Sequence, residues 1–343
     1  MDKVKVVYKY LPLVIAFALL MNLTLLGQSK VGTTIGQFLK ISPSARATAI
    51  GNTSTSLTGE VSASYYNPAS LGKIDFISSQ FTHNIWLAGI NYNYAIIALP
   101  ISDIGTVSFN LTSLNSGDID VRTVEKPLGT GERYSVSNFE LGVGYGLALT
   151  DRVSVGLHVN YIQESIWHSS IVTFGLNFGV LYQIPSNGFT LGASISNFGP
   201  RAKYSGRDLF INHDFNPAKH GDNDRLPGEL RTDTYGLPTM FRVGMSYPLK
   251  FSENNKLLIS VDAVHPNDND ESLNVGAEWE FMNYFNLRGG YRDLFLKDSE
   301  GGLVFGAGVN ISFFNGYNIS FDYAWADYGR LEQAHRFTLG IRF

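Results

Sequence analysis

The sequence predicts an all-β protein, a transmembrane antiparallel β-barrel of about fourteen strands with an N-terminal plug segment. Three observations lead there. Apolar and polar side chains alternate along most of the chain after residue 74. The links between the alternating runs are short and long by turns. The composition is also poor in charge: Asp, Glu, Lys and Arg make up 16%, while aromatics reach 13% and Gly numbers 35. Soluble domains carry roughly 25% charged residues.

The N-terminus reads as an export signal. Lys3, Lys5 and Lys9 precede an apolar stretch from Leu11 to Leu26, interrupted only by Pro12, Asn22 and Thr24. Gly27, Gln28 and Ser29 follow, and the sequence turns polar there. The stretch is short for a helical span of about 20 residues. Cleavage before Gln28 is therefore expected. This divides the chain into a signal peptide (1–27), a plug segment (28–72) and the barrel (73–343).

The strands follow from a period of two. In residues 172–182, Val172, Phe174, Leu176, Phe178, Val180 and Tyr182 share one face. Phe139, Leu141, Val143, Tyr145 and Leu147 share another, opposite Glu140, Gly142, Gly144 and Gly146. The pattern places strands near 74–86, 88–99, 105–114, 135–149, 152–164, 168–184 and 188–198. It continues near 238–248, 256–265, 271–281, 284–293, 301–312, 316–326 and 333–343. The even-numbered links, such as Thr150-Asp151 and Met282-Asn283, are short. Most odd-numbered ones, such as 115–134 and 199–237, are long. Outer-membrane barrels have short periplasmic turns and long external loops. The first link, near Leu87, departs from the rule. The last strand alternates Phe337, Leu339, Ile341 and Phe343 with Arg336, Thr338, Gly340 and Arg342. An amphipathic strand closing on Phe fits a barrel's last strand, and the expected location is the bacterial outer membrane.

With apolar residues on lipid, the lumen receives Glu140, His158, Asp262, Glu278, Glu280, Arg288, Arg292, Asp322, Arg336 and Arg342. A charge facing lipid near the midplane would cost about 2–4 kcal/mol. These charges line a selective channel or pair across strands. Keeping faces in phase across Met282 puts Glu278 opposite Arg288. Gly142, Gly144, Gly146, Gly156, Gly175, Gly179, Gly276, Gly290, Gly306 and Gly308 also face inward. Glycine in a strand marks close approach of another backbone, so something is expected to pack inside.

The segment before the barrel carries a family resemblance. Gly36-Gln37-Phe38-Leu39-Lys40-Ile41, Ser44-Ala45-Arg46-Ala47, Gly51 and Tyr66-Asn67-Pro68-Ala69 with Leu71 resemble the N-terminal signature of PorV/PorQ-family outer-membrane proteins. His83-Asn84-Ile85-Trp86 and Gly129-Thr130-Gly131-Glu132 are similar to the same family. FadL-type fatty-acid transporters share the Asn-Pro-Ala element and a plugged barrel. The resemblance implies a place in type IX secretion (a Bacteroidetes-type system), with secreted cargo C-terminal domains and other secretion-system barrels as partners. Phe38 and Leu39 would then seat the plug. Arg46 would pair with a lumen carboxylate, and Asn67-Pro68 would set the turn into the first strand.

Little else suggests chemistry. With Cys at zero there are no disulfides, thiolate metal sites or Cys nucleophiles. The net charge of -4 gives no nucleic-acid footprint. Gly142-Val143-Gly144-Tyr145-Gly146 has the wrong spacing and context for a phosphate loop. No His pair has zinc spacing. The acidic runs Asp222-Asn223-Asp224 and Asn267-Asp268-Asn269-Asp270-Glu271 do not fit a calcium loop and read as solvated. No catalytic residue, metal or cofactor is expected. Two functions remain: a non-enzymatic binding protein for exported cargo, and a transporter of hydrophobic small molecules. Outer-membrane lipid surrounds the protein in either case.

Overall fold

The computed structural model describes residues 30–216, 218–219, 225–313 and 316–343. The expected signal at 1–27 and the run Asp222-Asn223-Asp224 lie outside the described residues.

Fourteen strands build the wall. They are β1 (Ser78–Ile85), β2 (Asn91–Ile101), β3 (Gly105–Asn115), β4 (Val136–Ala148), β5 (Val153–Ile166), β6 (Ser169–Gln183) and β7 (Thr190–Phe198). After a long link come β8 (Met240–Ser252), β9 (Asn255–Pro266), β10 (Ser272–Phe281), β11 (Phe285–Leu294), β12 (Leu303–Ser312), β13 (Asn318–Asp327) and β14 (Gln333–Arg342). Neighbours in sequence pair antiparallel, and β14 pairs with β1, so the sheet closes. Closure satisfies every ladder hydrogen bond internally, as hydrocarbon demands.

The alternation sorts the side chains. On β4, Leu141 and Val143 stand about half exposed on the outer face, while Asn138 and Glu140 are buried inside. Phe81, Phe109, Phe174, Phe178, Phe241, Trp279, Phe305 and Phe321 extend the apolar exterior around the ring. Glu140, His158, Asp262, Glu278, Arg288, Arg292, Asp322 and Arg336 are buried. Glu280 is partly exposed and Arg342 exposed, because both lie near the short-link rim.

One strand starts later than its alternation suggests. β1 begins at Ser78 rather than near residue 74. Pro68–Lys73 wind into a 3-10 turn, and the Ile74 N–H closes it on Leu71 O at 3.1 Å. Ile74 is buried with that turn instead of facing lipid.

Residues from Thr34 to Lys73 run along the inner wall. Helix α1 (Ala45–Ala49) is capped by Ser44, whose Oγ accepts from the Ala47 N–H at 3.2 Å. Its small residues allow contact: Ala49 lies on Gly306, and the Ala45 N–H donates to Thr338 Oγ1 at 3.0 Å. Asn67 follows helix α2 (Ala63–Tyr66) and caps the 3-10 turn, accepting from Ala69 N–H at 3.1 Å. Its Nδ2 donates to Thr55 O at 2.8 Å and to Val180 O at 3.0 Å, tying the segment to β6. Pro68 occupies the first position of the turn, where a missing N–H costs nothing.

The inward glycines mark where this backbone passes. A methyl on Gly156 would overlap the Pro68 carbonyl, and one on Gly276 would overlap Ile50 O. Gly156→Val should therefore destabilise the barrel by about 1–3 kcal/mol through overpacking. The check is the temperature of the heat-modifiable gel shift, alongside protease access to residues 34–73. An unchanged shift and full protection would contradict this packing.

Candidate functional site

The interior is layered. Taking the long links as external, its floor lies toward the short-link end. Glu278 on β10 faces Arg288 on β11 in register, with Arg288 Nε donating to Glu278 Oε2 at 2.5 Å. Arg46 of α1 clamps the same carboxylate, Nε to Oε2 at 2.7 Å and Nη2 to Oε1 at 2.6 Å. Arg288 Nη1 donates to Asp322 Oδ1 at 2.5 Å, and Arg46 Nη1 reaches Glu60 Oε2 at 3.3 Å. Charges of both signs interlock across three strands and the internal segment. Forked arginine–carboxylate bonds of this kind are short and directional.

An apolar layer occupies the β2–β6 side and reaches the external half. Phe38 and Leu39, each 3% exposed, pack with Ile35, Tyr92, Tyr94, Ile162, Ile171 and Leu237. Trp86 and Tyr204 close its edge. Pro68 and Asn67 sit lower on the β5–β6 wall, apart from the Arg46 clamp.

The wall beside the apolar layer is interrupted. β6 and β7 lose register between Leu176 and Phe178, where Asn197 bulges with φ 59°. Asn tolerates that left-handed conformation better than other side chains. Its N–H donates to Asn177 Oδ1 at 2.7 Å, and its Nδ2 donates to Pro238 O at 3.2 Å. β7 ends at Phe198, while β6 runs on externally and meets Ser205–Gly206 instead. At Gly175, behind this bulge, a methyl would touch Ile162 and Leu237. Gly175 thus presents bare backbone to the apolar layer there.

The external rim holds a tether. Asp268 is 2% exposed and departs from the solvated loop expected of its acidic run, whereas Asn267, Asp270 and Glu271 are exposed. It accepts from Thr34 Oγ1 at 2.6 Å, Gln37 Nε2 at 2.8 Å and Lys40 Nζ at 2.7 Å. Polar groups three residues apart on the first turn converge on one carboxylate. Burial alone would raise the Asp268 pKa, but these donors outweigh it and hold the carboxyl below its usual range. Beside the tether is a cavity of about 230 Å³ whose lining includes Lys40, Tyr65, Tyr66, Arg242, Arg292 and Asp293. Arg292 stacks on Tyr328 at 4.3 Å and Arg336 on Trp86 at 5.2 Å. Sequence reasoning did not single out this arginine–tyrosine group, whose members are scattered from residue 65 to 336.

Two predictions follow from these contacts. Glu278→Ala leaves Arg46 and Arg288 without their shared carboxylate and should cost about 3–5 kcal/mol; the heat-modifiable gel shift measures it. At the rim, the folded-state pKa of Asp268 is depressed, so its stabilisation is present above the unfolded carboxyl value. It fades as pH falls through the folded one. Protection of residues 34–40 against hydrogen exchange, measured relative to the intrinsic rate at each pH, should fall as the Asp268 carboxylate is protonated, and Asp268→Asn should show that loss of protection already at pH 7.

No protein-family model and no curated protein sequence matches the chain. Solved structures do. The Pseudomonas putida toluene transporter TodX superposes with TM-score 0.55 at 14% identity, covering 87% of this chain and 96% of that one. A Pseudomonas aeruginosa FadL homologue gives 0.53 at 12%, covering 88% and 97%. The Ralstonia pickettii toluene transporter TbuX gives 0.51 at 14%, covering 88% and 97%. The chain therefore has the fold of the FadL-type outer-membrane barrels, a closed antiparallel ring of fourteen strands.

Proposed function

We propose that the chain is a non-enzymatic outer-membrane barrel that admits small hydrophobic molecules from outside and releases them sideways into the bilayer. The observation that carries this reading is the apolar layer beside the bulged wall. Phe38, Leu39, Tyr92, Ile162 and Leu237 make up that layer, and a molecule from the external end would enter by parting these buried side chains. The Arg46–Glu278–Arg288–Asp322 floor lies further in and offers an apolar molecule nothing. The exit in this reading is the wall at Gly175 and Asn197, where the ladder is irregular. Arg242 and Arg292 in the rim cavity supply a resting place for a polar or anionic end. In support, the structural neighbours include barrels described as toluene transporters and monoaromatic hydrocarbon channels.

A second reading rests on a different observation. Val124 and Leu128 on the 115–134 link are each 95% exposed, and Phe215 and Phe295 on other long links are 80% and 87% exposed. Exposed apolar residues on external loops fit a protein partner. The PorV/PorQ resemblance names such partners: secreted cargo C-terminal domains and other secretion barrels.

Uptake of a radiolabelled monoaromatic hydrocarbon by cells bearing the barrel separates the two. Gly175→Leu, which fills the space behind the bulge, should lower uptake about tenfold at unchanged barrel abundance. Val124→Asp with Leu128→Asp should leave uptake untouched. Equal uptake with and without the barrel would reject transport. Crosslinked capture of secreted proteins sharing a C-terminal domain would then support the second reading.

A further inference from the structure

Midway along the lumen face of β3, β4 and β5 sits a row formed by Asn110, Gly142 and Asn160, paired across the ladder. Both asparagines lean over the glycine. A methyl on Gly142 would lie on Asn110 Oδ1 and Asn160 Oδ1 alike. Two carbonyl oxygens thus point at the same small space. Asn110 is 7% and Asn160 1% exposed, and among the described residues neither oxygen has a hydrogen-bond donor. Oxygens brought together without a donor repel each other, and leaving them so is costly.

The next inward side chain on β4 adds a charge. Glu140 is 4% exposed and accepts from Thr112 Oγ1 at 2.8 Å, with the Asn110 amide beside it. Tyr65, Tyr92 and Tyr94 lie close enough to feel its charge. Among the described residues it makes no ion pair, whereas Glu278 and Asp322 each meet an arginine. On the other side of the row, His158 Nε2 and Ser108 Oγ satisfy each other at 3.3 Å. The open oxygens and the lone carboxylate therefore lie together between neutral groups.

We propose that this row is a binding site for a hard monovalent cation of the Na⁺ or K⁺ class. Asn110 Oδ1 and Asn160 Oδ1 are its ligands, and Glu140 is its counter-charge. Oxygen-only donors select a hard ion over a transition metal. One carboxylate balances one positive charge. Gly142 lets both amides close over the strand, where any side chain would push their oxygens apart. The site lies apart from the rim cavity, so it stands whether or not the barrel carries hydrophobic molecules.

The experiment uses the full barrel in detergent. Its thermal unfolding, followed by tryptophan fluorescence in a non-ionic detergent, is compared in NaCl, KCl and choline chloride at equal ionic strength, and crystals are soaked in a rubidium salt. An anomalous peak between the Asn110 and Asn160 amides is expected. The transition in NaCl or KCl should exceed that in choline chloride by about 4 °C, as for a ligand in roughly tenfold excess over its dissociation constant. Glu140→Gln keeps the shape and should abolish that difference. Asn160→Leu should do the same, provided its barrel still shows the folded gel mobility. Equal transitions in all three salts, with a water or a rotated amide in the density, would overturn the assignment. A response to Ca²⁺ alone would overturn its single charge.

Discussion

In hydrocarbon no backbone N–H or C=O finds water, so a sheet that crosses a membrane must have no edge. The β1–β14 ladder meets that demand, and the rest of the molecule answers to it. A closed ring has an inside, and period-two alternation sends every second side chain there. The carboxylates and guanidinium groups that lipid would punish are gathered in a confined space, where they must be paired or hydrated. The chain resolves this partly by facing strands against one another and partly by packing its own residues Thr34–Lys73 against the inner wall. Arg46 is the clearest case, because it completes a carboxylate that Arg288 alone leaves half-coordinated.

The internal segment fits because bulk is removed on both sides of the contact. Wall positions such as Gly156, Gly276 and Gly306 present bare backbone. The segment answers with alanines, serines and threonines whose backbone groups bond to wall side chains. Ala45 N–H on Thr338 and Thr55 N–H on Asp262 are two of these. Phe38 and Leu39 bring apolar bulk on the β2–β6 side, where they pack with Tyr92, Ile162 and Leu237. Polar packing below and apolar packing above thus follow from where small and large residues fall in one short stretch.

Strand positions were legible because alternation is a local signal and recurs on every strand. Ser78–Ile85 was the least so, since Ser79, Gln80, Thr82 and His83 blur the period and Pro68–Lys73 takes residues the pattern would assign to the strand. The inward set of charges followed from the same periodicity. The tether at Asp268 did not, because its donors lie more than two hundred residues away and nothing local distinguishes it from Asp270. The only hint was the spacing of Thr34, Gln37 and Lys40, which puts three polar groups on one side of a tight turn. The grouping of Trp86, Arg292, Tyr328 and Arg336 was likewise invisible, being set by ring closure rather than by neighbours in sequence.

The seam joins the first strand to the last, and both lean on the same internal residues. Thr338 of β14 meets Thr82 of β1 at 2.8 Å and receives the Ala45 N–H, while Arg336 donates to Ser42 O at 3.2 Å. Zipping the ring and docking the segment therefore draw on some of the same hydrogen bonds. A barrel joined without that segment would leave Thr338 and Arg336 short of partners that Ala45 and Ser42 now supply.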